Sequence, residues 1–278
     1  MSWTTTADPE AFLAAAGAFL HADPARNSVV LTRVETMRER PAEDALLGWW
    51  QVGGAVAGAF MHTPPYPAAL TAMPASAAAA LAGTLAAVDR PLPGVNGNPG
   101  ACDAFAAAWS ARTGARARIF RRMRLHRLDA LVPPDPPPPG EPLVAGPEHR
   151  DLVLAWYEAF AAEIEEPSGD LGPQVDDRLA YGGVTLWLAG GAPVSLAGVT
   201  RTVAGVARVA PVYTPPEHRG RGYGAAATAA VTRAALEADV RDLLLYTDLA
   251  NPTSNRLYAR LGYRPVEDSV VLLFDGGS

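Results

Sequence analysis

The sequence contains no lysine, because all 23 of its basic residues are arginine. This absence excludes a Schiff-base lysine, a P-loop lysine and a Ser-Lys dyad. Cys102 is the only cysteine, which excludes an intramolecular disulfide framework and a cysteine-rich zinc cluster. We interpret Cys102 as a small buried apolar residue in a reducing compartment. The five histidines show no metal-ligand spacing, so the sequence predicts no metal site.

Long hydrophobic runs and basic blocks are also missing. No stretch reaches the length of a membrane span, and residues 1–30 lack a basic start followed by an apolar run. The formal net charge is −6. An acidic balance without basic blocks argues against nucleic-acid or membrane-surface binding. We therefore expect a cytoplasmic protein that binds neither nucleic acid nor membrane.

The length of 278 residues fits two domains, and one boundary stands out. Residues 133–140 read PPDPPPPG, a semi-rigid linker that continues neither a helix nor a sheet. The sequence thus predicts an N-terminal domain over residues 1–132, a linker over 133–140 and a C-terminal domain over 141–278.

The two halves resemble each other, which predicts a diverged tandem duplication. Each contains a Trp-bearing apolar segment, a Gly-Gly pair typical of a tight hairpin (53–54 and 190–191) and then Thr-Pro-Pro (beginning at Thr63 and Thr214). Ala-Arg-Thr-Gly at 111–114 matches Ala-Arg-Leu-Gly at 259–262. Chance similarity between two Ala/Gly/Pro-rich segments is the alternative.

The periodicity of the C-terminal half predicts an α+β fold with a mixed sheet flanked by helices. The predicted helices cover 148–166, 224–238 and 253–261. The predicted strands cover 184–189, 194–201, 206–214, 243–247 and 269–274. The first three strands follow one another in meander order, and the later ones alternate with helices.

The segment Arg219-Gly220-Arg221-Gly222-Tyr223-Gly224 lies between a predicted strand and a predicted helix. Glycines allow a tight turn, and a helix N-terminus offers unpaired N–H groups with a partial positive charge, so the segment predicts a pyrophosphate site. A plain turn with solvated arginines is one alternative. A dinucleotide-binding fold, and with it a nucleotide-dependent oxidoreductase, is another, although the motif follows a meander and lies near the C-terminus.

A second motif, NPTSNRLYARLGY, begins at Asn251. In this order and spacing, the two motifs resemble those of the GNAT superfamily of acyl-CoA-dependent N-acyltransferases. The first resembles the Arg/Gln-x-x-Gly-x-Gly/Ala loop of that family, and the second resembles its Asn, Tyr and Gly-aromatic pattern. The resemblance covers about residues 141–275, and the halves are similar to two tandem GNAT-like domains.

The resemblance implies an acetyl-CoA-dependent N-acetyltransferase that acts on a primary amine of a small-molecule or peptide acceptor by direct attack. It implies that the pyrophosphate binds the N–H groups of residues 219–224 and that the pantetheine pairs with Val212, Tyr213 and Thr214. It further implies contacts of the cofactor with Asn251, Ser254 and Asn255. Tyr258 would face the thioester sulfur as the general acid, since a phenol can protonate a leaving thiolate. A non-catalytic acyl-CoA-binding or sensing protein remains the alternative function.

The sequence leaves the roles of several residues open. Tyr258 has a second reading as a core aromatic residue, and Asn251 has a second reading as a helix N-cap. No general base stands out, since Glu217 and His218 precede the phosphate turn directly. An acidic set after the first helix would suit a cationic acceptor or be simply solvated: Glu163, Glu165, Glu166 and Asp170. The N-terminal half lacks the glycine motif and has Ser110 where Tyr258 would match, so we expect a degenerate copy that does not bind CoA.

Overall fold

A computed structural model describes residues 2–88, 90–166, 169–238 and 240–276. Over these residues, and apart from two short 3₁₀ turns, both halves of the chain follow one order: strand, two helices, three strands, helix, strand, helix, strand. The N-terminal elements are β1 (Trp3–Thr6), α1 (Pro9–Ala22), α2 (Ser28–Glu39), β2 (Leu46–Val52), β3 (Ala55–His62), β4 (Ala68–Leu70), α3 (Ala75–Ala86), β5 (Gly94–Gly97), α4 (Pro99–Thr113) and β6 (Arg116–Leu128). The C-terminal elements are β7 (Glu141–Val144), α5 (Arg150–Glu163), α6 (Gly172–Ala180), β8 (Val184–Ala189), β9 (Ala192–Val199), β10 (Val206–Tyr213), α7 (Tyr223–Glu237), β11 (Asp242–Asp248), α8 (Pro252–Arg260) and β12 (Tyr263–Asp275).

Local sequence signals explain where several of these elements begin and turn. Both Gly-Gly pairs form two-residue hairpin turns with positive φ, joining β2 to β3 and β8 to β9, as predicted. An Asn-Pro pair begins α4 and α8, and in each case the Asn side chain accepts a hydrogen bond from the first turn. This shared start supports the predicted duplication.

The chain divides into two compact units. The first comprises Met1–Leu125, Asp248–Ala250 and Glu267–Ser278, and the second comprises His126–Thr247 and Asn251–Val266. Strands β6 and β12 each contribute residues to both units. The assignment of residues 1–132 and 141–278 to a degenerate and a catalytic domain stays a prediction.

In the first unit, strands pair in the order β1-β2-β3-β4-β5, followed by the last part of β12. All these pairs are antiparallel except β4–β5, which is parallel. Residues of α3 and α4 pack on this sheet in one apolar cluster. Phe105, Trp109 and Phe274 stack within it. Cys102 is buried in the same cluster, as predicted.

In the second unit, strands pair in the order β7-β8-β9-β10-β11, again antiparallel except for the last pair, β10–β11. Neighbouring residues of β9 belong to different clusters: Ala197 packs with α7, while Leu196 packs with α5 and α6. Because side chains alternate along a strand, these helices cover opposite faces of the sheet. The predicted α+β fold with a mixed, mostly antiparallel sheet flanked by helices is confirmed.

In the C-terminal half, two predicted elements differ clearly in length from the observed ones, and two observed elements were not predicted. The helix predicted over 148–166 is a 3₁₀ turn followed by α5. The last strand is much longer than 269–274, because Gly262 (φ +98°) leads the chain from α8 directly into β12. Strand β7 and helix α6 were not predicted.

One part of the predicted repeat was wrong in register. Thr63-Pro-Pro follows β3, whereas Thr214-Pro-Pro follows β10, whose counterpart in the order of elements is β4. The true counterpart of the glycine turn is therefore the segment 71–74, between β4 and α3. That segment contains no glycine either.

Candidate active site

Strand β10 is irregular where it approaches the glycine turn. Its antiparallel register with β9 shifts between Val209 and Val212. The guanidinium of Arg178 on α6 donates a hydrogen bond to the Ala210 carbonyl in this bulge at 2.5 Å. A bulge bends a strand and leaves backbone groups outside the ladder.

Beyond Arg208, β10 separates from β11. The two strands are in parallel register at Val206, Ala207 and Arg208, and no further pair between them occurs in the described part of the chain. On its other side, β10 stays paired with β9 through Tyr213. The edge of β10 that faces β11 is thus open over its last five residues, Val209–Tyr213.

The glycine turn leads from β10 into α7. Gly220 and Gly222 have φ of +76° and +81°, in the left-handed region that favours glycine. Helix α7 starts directly after Gly222, and no side chain of a described residue caps the start of this helix. The backbone N–H groups of the first turn, at residues 223–225, are therefore available to an anion. Tyr223 contributes only its N–H group here, because its ring is buried in the core.

The end of β10 lies against this turn. A Cβ on Gly224 would lie 3.2 Å from Thr214 Oγ1 and 3.9 Å from Val212 Cγ1, so the site brings the two predicted cofactor segments together. Ser195 on β9 donates to the Tyr213 carbonyl at 2.9 Å, and its hydroxyl lies 2.8 Å from Thr214 Oγ1. These bonds hold the end of β10 against β9.

The two arginines of the turn differ in their surroundings. Arg219 donates from Nε to the Thr214 carbonyl at 2.8 Å and from Nη2 to Glu163 Oε1 at 2.5 Å. Its guanidinium also lies over the Tyr213 ring, 5.9 Å from the centroid. Arg221 is exposed. Glu163, one of the four acidic residues that would suit a cationic acceptor or be simply solvated, is thus engaged by an arginine.

The start of α8 is held by amide hydrogen bonds. Asn251 Oδ1 accepts from the N–H groups of Thr253 and Ser254, each at 3.1 Å, so the N-cap reading is confirmed. Asn255 uses both ends of its amide: Oδ1 accepts from Thr247 Oγ1, and Nδ2 donates to the Asn251 carbonyl, both at 2.7 Å. Asn255 therefore positions Asn251 relative to β11.

Tyr258 on α8 is half-buried against the cluster that contains Tyr223, with its ring edge-on to Tyr263 at 6.1 Å. No described residue hydrogen-bonds its hydroxyl, whereas the Tyr263 hydroxyl is paired with Thr232. Burial raises the pKa of Tyr258 above its ordinary value. Because no described residue occupies it, the hydroxyl can hydrogen-bond a ligand.

Two residues at this site were missed by the sequence analysis: Arg178 and Ser195. Arg178 had a signal, since it shares the inward face of α6 with Val175 and Leu179, where an apolar residue is expected. Among the candidate bases, Glu217 is exposed, and Nδ1 of His218 is buried without a hydrogen-bond partner in the described residues. No group of three metal-ligating side chains occurs in the described ranges. Nor is any helix there long and apolar enough to cross a membrane.

The family model of the acetyltransferase (GNAT) family matches residues 151–263. This range contains β10, the glycine turn and α8. Residues 151–263 of the chain therefore match a GNAT domain. No curated protein matches the sequence.

Solved structures extend the similarity to nearly the whole chain. A GCN5-related N-acetyltransferase from Kribbella flavida is 26% identical, with 89% of this chain and 96% of that chain covered and a TM-score of 0.57. A tandem GNAT protein from the clavulanic acid biosynthesis pathway is 18% identical, covers 100% and 99% of the two chains and has a TM-score of 0.58. A GCN5-related N-acetyltransferase from Sphaerobacter thermophilus is 17% identical, covers 98% and 95%, and has a TM-score of 0.64. The fold of this chain is thus that of GNAT proteins, a tandem one among them.

Proposed function

We propose that this protein transfers an acetyl group from acetyl-CoA to a primary amine of a small-molecule or peptide acceptor. The observation that carries the proposal is the opening between β10 and β11 beside an uncapped glycine turn. An extended pantetheine arm needs an open strand edge, and a diphosphate needs N–H donors at a helix start. The C-terminal half offers both within one strand–turn–helix segment.

In the proposed complex, the diphosphate binds the N–H groups of residues 219–224, and the exposed Arg221 adds a charge-assisted hydrogen bond. The pantetheine follows β10 from Thr214 towards Val212. Asn251, Ser254 and Asn255 form the side of the site provided by α8. The N-terminal half serves as a degenerate partner domain without a cofactor.

The chemistry is direct attack. The nitrogen of a neutral amine attacks the thioester carbonyl carbon, the C–S bond breaks, and the acyl group leaves with the amine as an amide. An unpaired N–H on the open edge of β10 stabilises the developing oxyanion. Tyr258 gives its proton to the leaving thiolate. The released amine proton passes to solvent, and the phenolate of Tyr258 is reprotonated there.

Calorimetric titration with acetyl-CoA, followed by thiol release with a panel of amines, tests this proposal. We expect one acetyl-CoA to bind per chain and at least one amine to release CoA. Binding of NAD(P) instead of acetyl-CoA in the same titration would favour a dinucleotide-binding protein. Binding of acetyl-CoA without turnover of any amine would favour a sensing protein.

A further inference from the structure

The bulge of β10 lies next to a buried polar cluster with an incomplete set of hydrogen bonds. The Tyr157 hydroxyl on α5, Nη1 of Arg178 on α6 and the Ala210 carbonyl lie 2.7, 2.8 and 2.9 Å from one point, the position that a Cβ on Gly198 would occupy. Any side chain on Gly198 would fill that space. Glycine at this position of β9 therefore lets the three polar groups converge on one face of the sheet.

Among the described residues, one member of the cluster has no hydrogen-bond partner, and another uses only one of its donor atoms. Tyr157 is 3% exposed, and its hydroxyl makes no hydrogen bond with a described residue. Arg178 is 6% exposed and makes one hydrogen bond, from Nη1 to Ala210. Its other N–H groups have no partner among residues that the structure describes. A native fold rarely leaves a buried hydroxyl without a hydrogen-bond partner, and such a group indicates a bound water, ion or ligand.

The positive charge of Arg178 has no ion-pair partner in the described chain. The two acidic residues before it in sequence point to other arginines: Asp176 pairs with Arg150 at 2.5 Å, and Asp177 pairs with Arg201 at 2.7 Å. Arg208 on β10 is a second cation nearby. Burial, together with the charge of Arg178, lowers the pKa of Arg208 to about 10, although the charge of Tyr246 acts in the opposite sense. The surroundings of Arg178 thus favour an anion.

The cluster also lies at the reacting end of the proposed cofactor site. The pantetheine would follow β10 from Thr214 to Val212, and the next residues in that direction are those of the bulge. Ala210 is exposed, so this part of β10 is open to an incoming molecule. An anion bound to Arg178 would therefore lie beside the thioester.

We propose that Arg178 and Tyr157 bind a carboxylate of the acceptor, so that the substrate is an amine that also carries a carboxylate. This inference rests on the proposed function, which supplies the amine chemistry. A planar guanidinium with free donors and one phenol hydroxyl match the two oxygens of a carboxylate. Glu163 does not oppose such an anion, since it is paired with Arg219.

The first test compares acceptors that differ only in this charge. Thiol release from acetyl-CoA is measured with glycine, β-alanine, γ-aminobutyrate and larger amino acids, each against its carboxamide. We expect kcat/KM for the best acid to exceed that for its amide by about tenfold or more, as expected for hydrogen bonds to a charged group. In Arg178→Gln this ratio should fall to about one. Amides that react as well as acids in the unmodified protein would overturn the inference and leave the proposed function standing.

Tyr157→Phe separates ligand binding from folding. The hydroxyl has no partner, so its removal should leave the melting temperature unchanged or higher. The same variant should raise KM for the acid severalfold while KM for acetyl-CoA and kcat stay as they were. A fall in melting temperature with an unchanged acceptor KM would show a structural role and contradict the proposal.

A binding measurement makes the site testable without turnover. The Nε–H signal of Arg178 in the NMR spectrum, assigned by its loss in Arg178→Gln, is followed while sodium acetate, acetamide or methyl phosphate is added. We expect a saturable shift with acetate, none with acetamide, and weaker binding in Tyr157→Phe. No shift with acetate overturns the carboxylate site, and a shift with methyl phosphate alone replaces it with a phosphate site. A shift with acetate in a protein that acetylates no amine would refute the proposed function instead.

Discussion

The segments β10–turn–α7 and β4–turn–α3 occupy the same place in the two halves of the chain but differ at every feature that a cofactor needs. Strand β10 has eight residues, a bulge and an open edge after Arg208. Strand β4 has three residues and pairs with β5 to its last one, Leu70 opposite Gly97. A Cβ on Gly97 would lie 2.0 Å from the Leu70 carbonyl oxygen, so glycine here keeps the strands together.

The turns that follow the two strands differ in the same way. After β4, the Thr71 hydroxyl accepts from the N–H and donates to the carbonyl of Ala59, which ties the chain to β3. Helix α3 then begins after Pro74, without a glycine in a left-handed conformation. After β10, two such glycines expose the first N–H groups of α7. One order of elements thus gives a packed domain in one half and an open site in the other, through a bulge, an unpaired strand edge and a glycine turn.

We expect the largest effect from substitution of Tyr258. Its counterpart in the other half is Ser110, since both residues directly precede an Ala-Arg-x-Gly segment. Tyr258→Phe should lower kcat by about 10²-fold or more, because a general acid contributes that much, while the affinity for acetyl-CoA changes little. Ser110→Ala in the other half is the matched control and should leave turnover unchanged. Steady-state thiol release and calorimetry give both values. If Tyr258→Phe turns over normally, Tyr258 only packs against the core.

We expect a smaller effect from a substitution in the glycine turn. Gly222 (φ +81°) and Gly53 (φ +58°) are both left-handed, and only Gly222 precedes a helix that would bind a phosphate. An alanine in this conformation costs about 1–2 kcal/mol. In Gly222→Ala the turn should relax and weaken CoA binding by about tenfold, whereas Gly53→Ala should lower the melting temperature without changing CoA affinity. Equal CoA affinity in the two variants would place the diphosphate elsewhere.

The sequence predicted the elements around the turn well because their signals are local. Gly222 precedes a small-residue helix, Asn251-Pro252 is an N-cap pair, and Gly190-Gly191 is a hairpin turn; each shows in neighbouring residues. The register of the repeat was harder to predict, since Thr-Pro-Pro follows different strands in the two halves. The two Thr-Pro-Pro segments match in sequence, but they do not occupy equivalent positions in the order of helices and strands.

The residues around the bulge could not be assigned from the sequence, because their roles depend on contacts between distant segments. Arg178 and Ala210 are 32 residues apart, and Gly198 lies on a third element. No pattern in the sequence indicates that the Tyr157 hydroxyl is buried without a partner among the described residues. Such contacts become visible only when the strands and helices are assembled.

The smallest expected effect concerns the ion pair that occupies Arg219. Glu163→Gln should leave stability nearly unchanged, because an exposed pair contributes little. The variant frees Arg219 and removes a negative charge beside the turn, so we expect CoA to bind severalfold more tightly at low salt, with the gain lost at high salt. Glu35→Gln, which removes an exposed partner of Arg38 in the other half, is the matched control and should not change CoA affinity. Weaker CoA binding in Glu163→Gln would mean that Glu163 holds Arg219 in its binding position, and the difference between the two halves would then include this acidic residue.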